Sequence, residues 1–266
     1  MNVSGLNIKE IIKKQIHKHK SKRFIELDMV RGLAILLMVF GHVLWDLDYF
    51  GIIPMNNWIY SMLQQTVPPL FFLLVGIGLV VSKKKIENKS PEKQNLFFKI
   101  LFKRGLKVIG IGMLLTLFSL LFLPETPVIF GVLHCIGTSI ILSIPFLKYK
   151  EYSLLVGVVI LLIETELAKI NFSNPSIFHL IIGMQPAEVW KYTVDYFPLI
   201  PWFGICLLGI VIGDILYCGD ERGFRMPNIE KYKPVKLFSW AGQHSLAIYL
   251  IHQPIIAGTI SIFVLL

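Results

Sequence analysis

Apolar and polar residues in this chain alternate on the scale of whole helices rather than of single turns. Seven apolar stretches occur, at residues 28–47, 61–82, 99–123, 130–147, 152–170, 198–218 and 239–264. Each is near the roughly 20 residues that an α-helix needs to cross a hydrocarbon core. The pattern predicts an all-α polytopic membrane bundle of about seven transmembrane helices. Pro68 and Pro69 fall inside the second stretch and are expected to bend it, and residues 52–60 before it are expected along an interface. The longest connection, 171–197, has an apolar core at 177–184 that is too short to span and reads as an interfacial or re-entrant piece. Gly209 and Gly213, one turn apart, offer a face for close helix packing, which also makes a homodimer plausible. Residues 1–22 are basic and lack the apolar run of a signal peptide. Within them, 6–20 reads as an amphipathic helix on the membrane surface. Residues 23–266 then form one transmembrane domain.

Charge gives the pattern a direction. Of 26 Lys and Arg residues, 24 lie in segments 9–31, 83–107, 148–150 and 222–236, leaving only Lys169 and Lys191 elsewhere. Basic and non-basic connections therefore alternate, as the positive-inside rule requires, and the N-terminus is expected in the cytoplasm. The net charge of +9 reads as a collar facing anionic lipid, with no nucleic-acid partner implied. At 55 % apolar and 16 % charged, the chain lies well outside soluble composition, where charged residues average about 25 %. A multi-pass protein of the cell membrane is the expectation. Cys135, Cys206 and Cys218 show no metal or redox spacing and read as inert thiols. No glycine-rich nucleotide loop, His-Glu-x-x-His motif or nucleophile elbow occurs, so no metal is expected.

Ionisable residues inside apolar spans cost at least about 2.5–3.5 kcal/mol each to insert, which makes them informative. The first span carries Asp28, Arg31, His42 and Asp46 at steps of 3, 11 and 4 residues. All four fall on one stripe of a helix, with His42 about 16 Å beyond Arg31. The stripe thus offers a cation at one end and an imidazole with an aligned carboxylate toward the other. Asp46, one turn on, is placed to orient His42 as a base-plus-orienter pair. His134, His252 with Gln253, and Asp195 lie in other spans or at their mouths and can converge on His42. Arg104 and Lys107 sit at the basic end of the third span, where they can meet phosphate. These residues also suit a proton-coupled transporter or a lipid-linked-sugar flippase, although the two halves show no inverted repeat.

Several segments look familiar together. They are Arg23 through His42, Phe71 through Gly76, Lys103 through Lys107, Phe130 through His134, Asp195 through Gly204, and His244 through Pro254. In order and spacing this series resembles the heparan-alpha-glucosaminide N-acetyltransferase catalytic-domain family, in its small prokaryotic branch, within the wider transmembrane acyltransferase superfamily. The resemblance covers nearly the whole chain. It implies an acyl-CoA-dependent transmembrane acetyltransferase, taking acetyl from cytoplasmic acetyl-CoA to an extracytoplasmic amino sugar or glycan. On that reading Arg31, Arg104 and Lys107, with Asp28, hold the CoA phosphates. His42 is the general base or carries a transient acetyl group, Asp46 orients it, and His134 or another outer polar group stabilises the oxyanion. His252, Gln253, Asp195 and Trp202 meet the acceptor.

Overall fold

The computed structural model describes residues 23–54, 56–89, 94–170, 172, 175–218 and 221–265. The predicted surface helix at 6–20 lies outside them. Helices stand at every apolar stretch: α1 (Ile25–Tyr49), α2 (Asn57–Lys89), α3 (Gln94–Phe122), α4 (Val132–Lys148), α5 (Glu151–Leu167), α7 (Leu199–Leu216) and α9 (Ser245–Leu265). A short α6 (Ile177–Ile182) sits in the long connection, and α8 (Lys233–Gln243) precedes the last helix. Strands β1 (Tyr217–Cys218) and β2 (Glu221–Arg222) form a two-stranded antiparallel hairpin after α7. Helices α1, α2, α3, α7 and α9 are long and apolar enough to cross a membrane. Helix α4 is apolar but only 17 residues long, and α5 has the same length.

Two expectations change in detail. The stretch 239–264 is not one helix: residues 239–243 belong to α8, the chain breaks at His244, and α9 begins at Ser245. The break has a local cause. The His244 imidazole Nδ1 lies 2.8 Å from the carbonyl oxygen of Trp240, and its backbone N–H closes the last turn on Trp240 and Ala241. That arrangement satisfies carbonyls which a helix end would otherwise leave bare. Helix α2, an element of 33 residues with Pro68 and Pro69 inside it, already includes 57–60, the end of the expected interfacial piece.

Glycine decides where the helices cross. A Cβ on Gly32 of α1 would overlap the carbonyl of Phe238 in α8 and lie 2.9 Å from the amide nitrogen of Gly242. A Cβ on Gly242 would in turn overlap the carbonyl oxygen of Asp28. The same backbone-on-backbone contact recurs between α2 and α7 at Gly76, Gly209 and Gly213, and between α3 and α4 at Gly105 and Gly137. Gly157 and Gly204 bring α5 onto α7 in the same way. Lipid tails are as apolar as leucine, so close packing of small residues holds such helices together. The buried centre is built by Phe72 and Leu79 of α2, Cys135 and Ile140 of α4, and Cys206, Leu207 and Ile210 of α7. Leucines 114, 117 and 121 of α3, Leu155 and Leu162 of α5, and Ile255, Ile262 and Phe263 of α9 point outward and are exposed. An apolar girdle of that extent fits lipid, not water.

At the basic end, lysines of α2 close the ends of other helices. Lys83 Nζ donates to the Leu147 carbonyl of α4 at 2.6 Å, and Lys84 Nζ donates to the carbonyls of Asp214 and Tyr217 at 2.9 and 2.7 Å. Cations at helix C-termini satisfy orphan carbonyls and complement the helix dipole. Lys84 and Lys150 both pair with the Asp214 carboxylate. Arg222 of the hairpin grips Glu26 of α1 with two parallel bonds of 2.6 and 2.8 Å.

Candidate active site

The polar stripe of α1 divides into two groups. At the basic end, Arg31 Nη1 donates to Asp28 Oδ1 at 3.1 Å, while Asp28 Oδ2 is buried without a partner among the described residues. Arg31 also feels the like charges of Arg104 and Arg23. Three guanidiniums against one carboxylate leave this end with an excess of positive charge, which suits a polyanion. Lys107 is exposed and lies one turn from Arg104 on α3.

At the other end, α1 meets α9. The rings of His42 and His252 sit edge to face with centroids 4.7 Å apart. Asp46 is almost fully buried at 1 % exposure, and both of its oxygens accept from Gln253 Nε2, at 3.0 and 3.1 Å. Among the described residues no hydrogen bond joins Asp46 to His42. The carboxylate reaches across to α9 instead of along its own helix. The contact ties α1 to α9 at the residue next to His252.

Helix α9 links this group to two connections and α4. Tyr249 lies one turn before His252 on the same face, with ring centroids 5.6 Å apart, and its hydroxyl donates to Asp195 Oδ2 at 3.2 Å. The same carboxylate oxygen accepts from the Val132 backbone N–H at 3.2 Å and so caps the start of α4 from outside that helix. Asp195 is held there by a short parallel bridge between Phe130 and Tyr196, and by the Val194 N–H bonding to the Thr126 carbonyl. His134, one turn into α4, accepts from the Gly131 N–H at Nδ1, at 3.3 Å. Its ring lies over Gly112, where a Cβ would come within 3.0 Å. A row therefore runs from His42 through His252, Tyr249 and Asp195 to the cap of α4 and His134.

Trp202 stands apart from that row. It stacks between Phe72 and Phe197, at centroid distances of 5.3 and 5.2 Å. Its neighbours are those of a core aromatic. Tyr249 carries one signal in the sequence, its spacing of three from His252 in a helix.

Burial holds the Asp195 carboxyl up at about 6, despite the bonds from Val132 and Tyr249, which favour the charged form. Since the folded value lies above the ordinary 3.8, its contribution to stability is present in full below that value and lost as pH rises through about 6. Asp195→Asn keeps an oxygen acceptor but cannot ionise. The melting temperature of the variant should therefore gain on that of the unsubstituted protein as pH rises from about 4 to about 6, by several degrees. Parallel melting curves that keep a constant separation over that range would contradict this.

A protein-family model described as heparan-alpha-glucosaminide N-acetyltransferase, catalytic, matches residues 23–254. No curated protein and no solved structure gives a significant match. The matched range contains both groups of the α1 stripe, the Asp195 cap, and α9 through Pro254. Over nearly its whole length, then, the chain belongs to the heparan-alpha-glucosaminide N-acetyltransferase catalytic family of membrane transferases.

Proposed function

We propose that this protein transfers an acetyl group from acetyl-CoA, on the cytoplasmic side of the cell membrane, to an amine or hydroxyl of a sugar or glycan on the other side. One observation carries the reading: a single helix bears the cationic group at one end and the His42–His252 contact toward the other, within a chain of this family. The α4 and α5 helices complete seven spans, and the basic end faces the cytoplasm. Arg31 and Arg104, with Lys107 nearby, bind the CoA phosphates, and Asp28 holds Arg31 in place. The acyl arm reaches along α1 toward the imidazoles.

The acceptor nucleophile then attacks the thioester carbon, forming the new N–C or O–C bond. An imidazole of the His42–His252 pair takes its proton. A donor such as His134 bonds the oxyanion. Collapse breaks the C–S bond, and the CoA thiolate leaves with the proton that the imidazole held. Asp46 acts through Gln253, which it fixes beside His252. This scheme needs only chain residues and the two substrates.

The donor half is tested by melting the detergent-purified protein over a titration of acetyl-CoA, with acetate as control. Saturable stabilisation is expected, reaching about 2.7 kcal/mol at a hundredfold excess over Kd. Arg31→Ala should move the midpoint to at least tenfold higher acetyl-CoA. No stabilisation by any acyl-CoA, combined with proton-driven sugar uptake in vesicles, would make the protein a carrier.

A further inference from the structure

The hydrogen bonds around two buried histidines give them opposite tautomers, and with them opposite roles. The His252 Nδ1 lies 2.6 Å from the Tyr249 carbonyl oxygen. A carbonyl only accepts, so Nδ1 carries the hydrogen, and in the neutral ring Nε2 is a bare lone pair. His134 is arranged the other way round. Its Nδ1 accepts from the Gly131 N–H, so its hydrogen is on Nε2. Both Nε2 atoms are buried without a partner among the described residues, and the two side chains are in residues only 8 % and 4 % exposed.

A third orphan belongs to the next residue of the helix after His252. Gln253 spends its amide N–H groups on Asp46, which leaves Oε1 buried and unpaired. The middle of α9 therefore presents two unsatisfied acceptors on adjacent residues, His252 Nε2 and Gln253 Oε1. Buried acceptors are normally paired, and leaving one unpaired is unfavourable. A ligand that supplies at least two N–H or O–H donors removes both deficits. A primary amine on a sugar does so, and its proton is then already in contact with the lone pair that could take it.

Resting on the transfer reaction proposed above, we propose that His252 is the catalytic base of the pair. In this account the acceptor amine is bound by His252 Nε2 and Gln253 Oε1. As the amine nitrogen bonds to the thioester carbon, one N–H proton moves to His252 Nε2. The Nδ1–H stays on the Tyr249 carbonyl, which stabilises the imidazolium so formed. His134 Nε2–H is the complementary donor, suited to the oxyanion. His42 packs against the face or edge of His252 and fixes the ring plane. The groups that act on His252 are His42 from α1, Tyr249 from its own helix, Asp195 through the Tyr249 hydroxyl, and Asp46 through Gln253.

Two measurements on the full-length protein in nanodiscs test this. The first is the nitrogen-15 spectrum of histidine-labelled protein, assigned by single substitutions. His252 should show the Nδ1–H tautomer and His134 the Nε2–H tautomer; the reverse pattern at His252 overturns the proposal whatever reaction the protein performs. The second is CoA release from acetyl-CoA with glucosamine as acceptor. His252→Asn places an amide N–H near the old Nδ1 and so keeps the bond to the Tyr249 carbonyl, but it has no lone pair at Nε2. It should cut kcat at least a hundredfold, abolish the rise of kcat/KM with pH, recover in part with added imidazole, and leave acetyl-CoA stabilisation unchanged. Activity within threefold of the unsubstituted protein overturns the assignment of the base while leaving acetyl transfer standing. Failure of the unsubstituted protein both to bind acetyl-CoA and to release CoA overturns the transfer reaction instead, and the assignment of a base with it.

Discussion

Gly32→Ala is expected to prevent recovery of folded protein, although it adds a single methyl group. The added carbon would stand 2.6 Å from the Phe238 carbonyl carbon and closer still to its oxygen, both backbone atoms of another helix. A side chain can turn aside; a helix backbone must move as a body. Relief therefore requires α8 to separate from α1, which also opens the reciprocal contact of Gly242 on Asp28. Overpacking a well-filled core typically costs about 1–3 kcal/mol, and contact with fixed backbone puts this case at or above the upper end. Gly258→Ala and Gly110→Ala are the matched controls, because nothing lies within 4 Å of either added carbon. They should be neutral or slightly stabilising, as alanine is favoured over glycine in a helix. The monodisperse fraction on size-exclusion chromatography checks all three. Gly32→Ala behaving like the controls would show that α8 does not sit against α1.

His42→Ala is expected to lower transfer by about 10²-fold through misplacement of the His252 ring, with acetyl-CoA stabilisation retained. The imidazole touches His252 at 4.7 Å between centroids and lies about three turns from Arg31. Its loss removes the ring that holds His252 but leaves the phosphate-binding end untouched. Asp46→Asn should have the milder effect, since its oxygens act only through Gln253. Measured kcat and acetyl-CoA Kd for both variants check the division. An equal loss of donor binding in His42→Ala would place His42 with the donor rather than the reaction.

The helices were legible because each is an unbroken apolar run bounded by charge or by polar residues. The family was legible from six short motifs in the right order, from Arg23 to Pro254. What the sequence concealed depends on contacts between helices. Asp46 looked like the partner of His42 because four residues separate them on one helix, yet its oxygens cross to Gln253, 207 residues away. Nothing near Asp195 announces that it caps α4 through Val132, because the cap comes from a distant connection. The break at His244 was hidden for a different reason. Residues 239–243 carry no charge to mark a boundary, and the helix ends where the His244 side chain and backbone N–H both close on Trp240. Gly209 and Gly213 announced a close face, but Gly32 and Gly242 pair two positions with no local pattern in common.

Sidedness tests the central claim most directly. The protein is reconstituted into sealed vesicles with glucosamine trapped inside, and radiolabelled acetyl-CoA is added outside. Molecules whose basic end faces outward should build up N-acetylglucosamine in the lumen, and CoA should appear only in the outer medium. Acetylated sugar formed only after the vesicles are permeabilised would contradict transfer across the membrane.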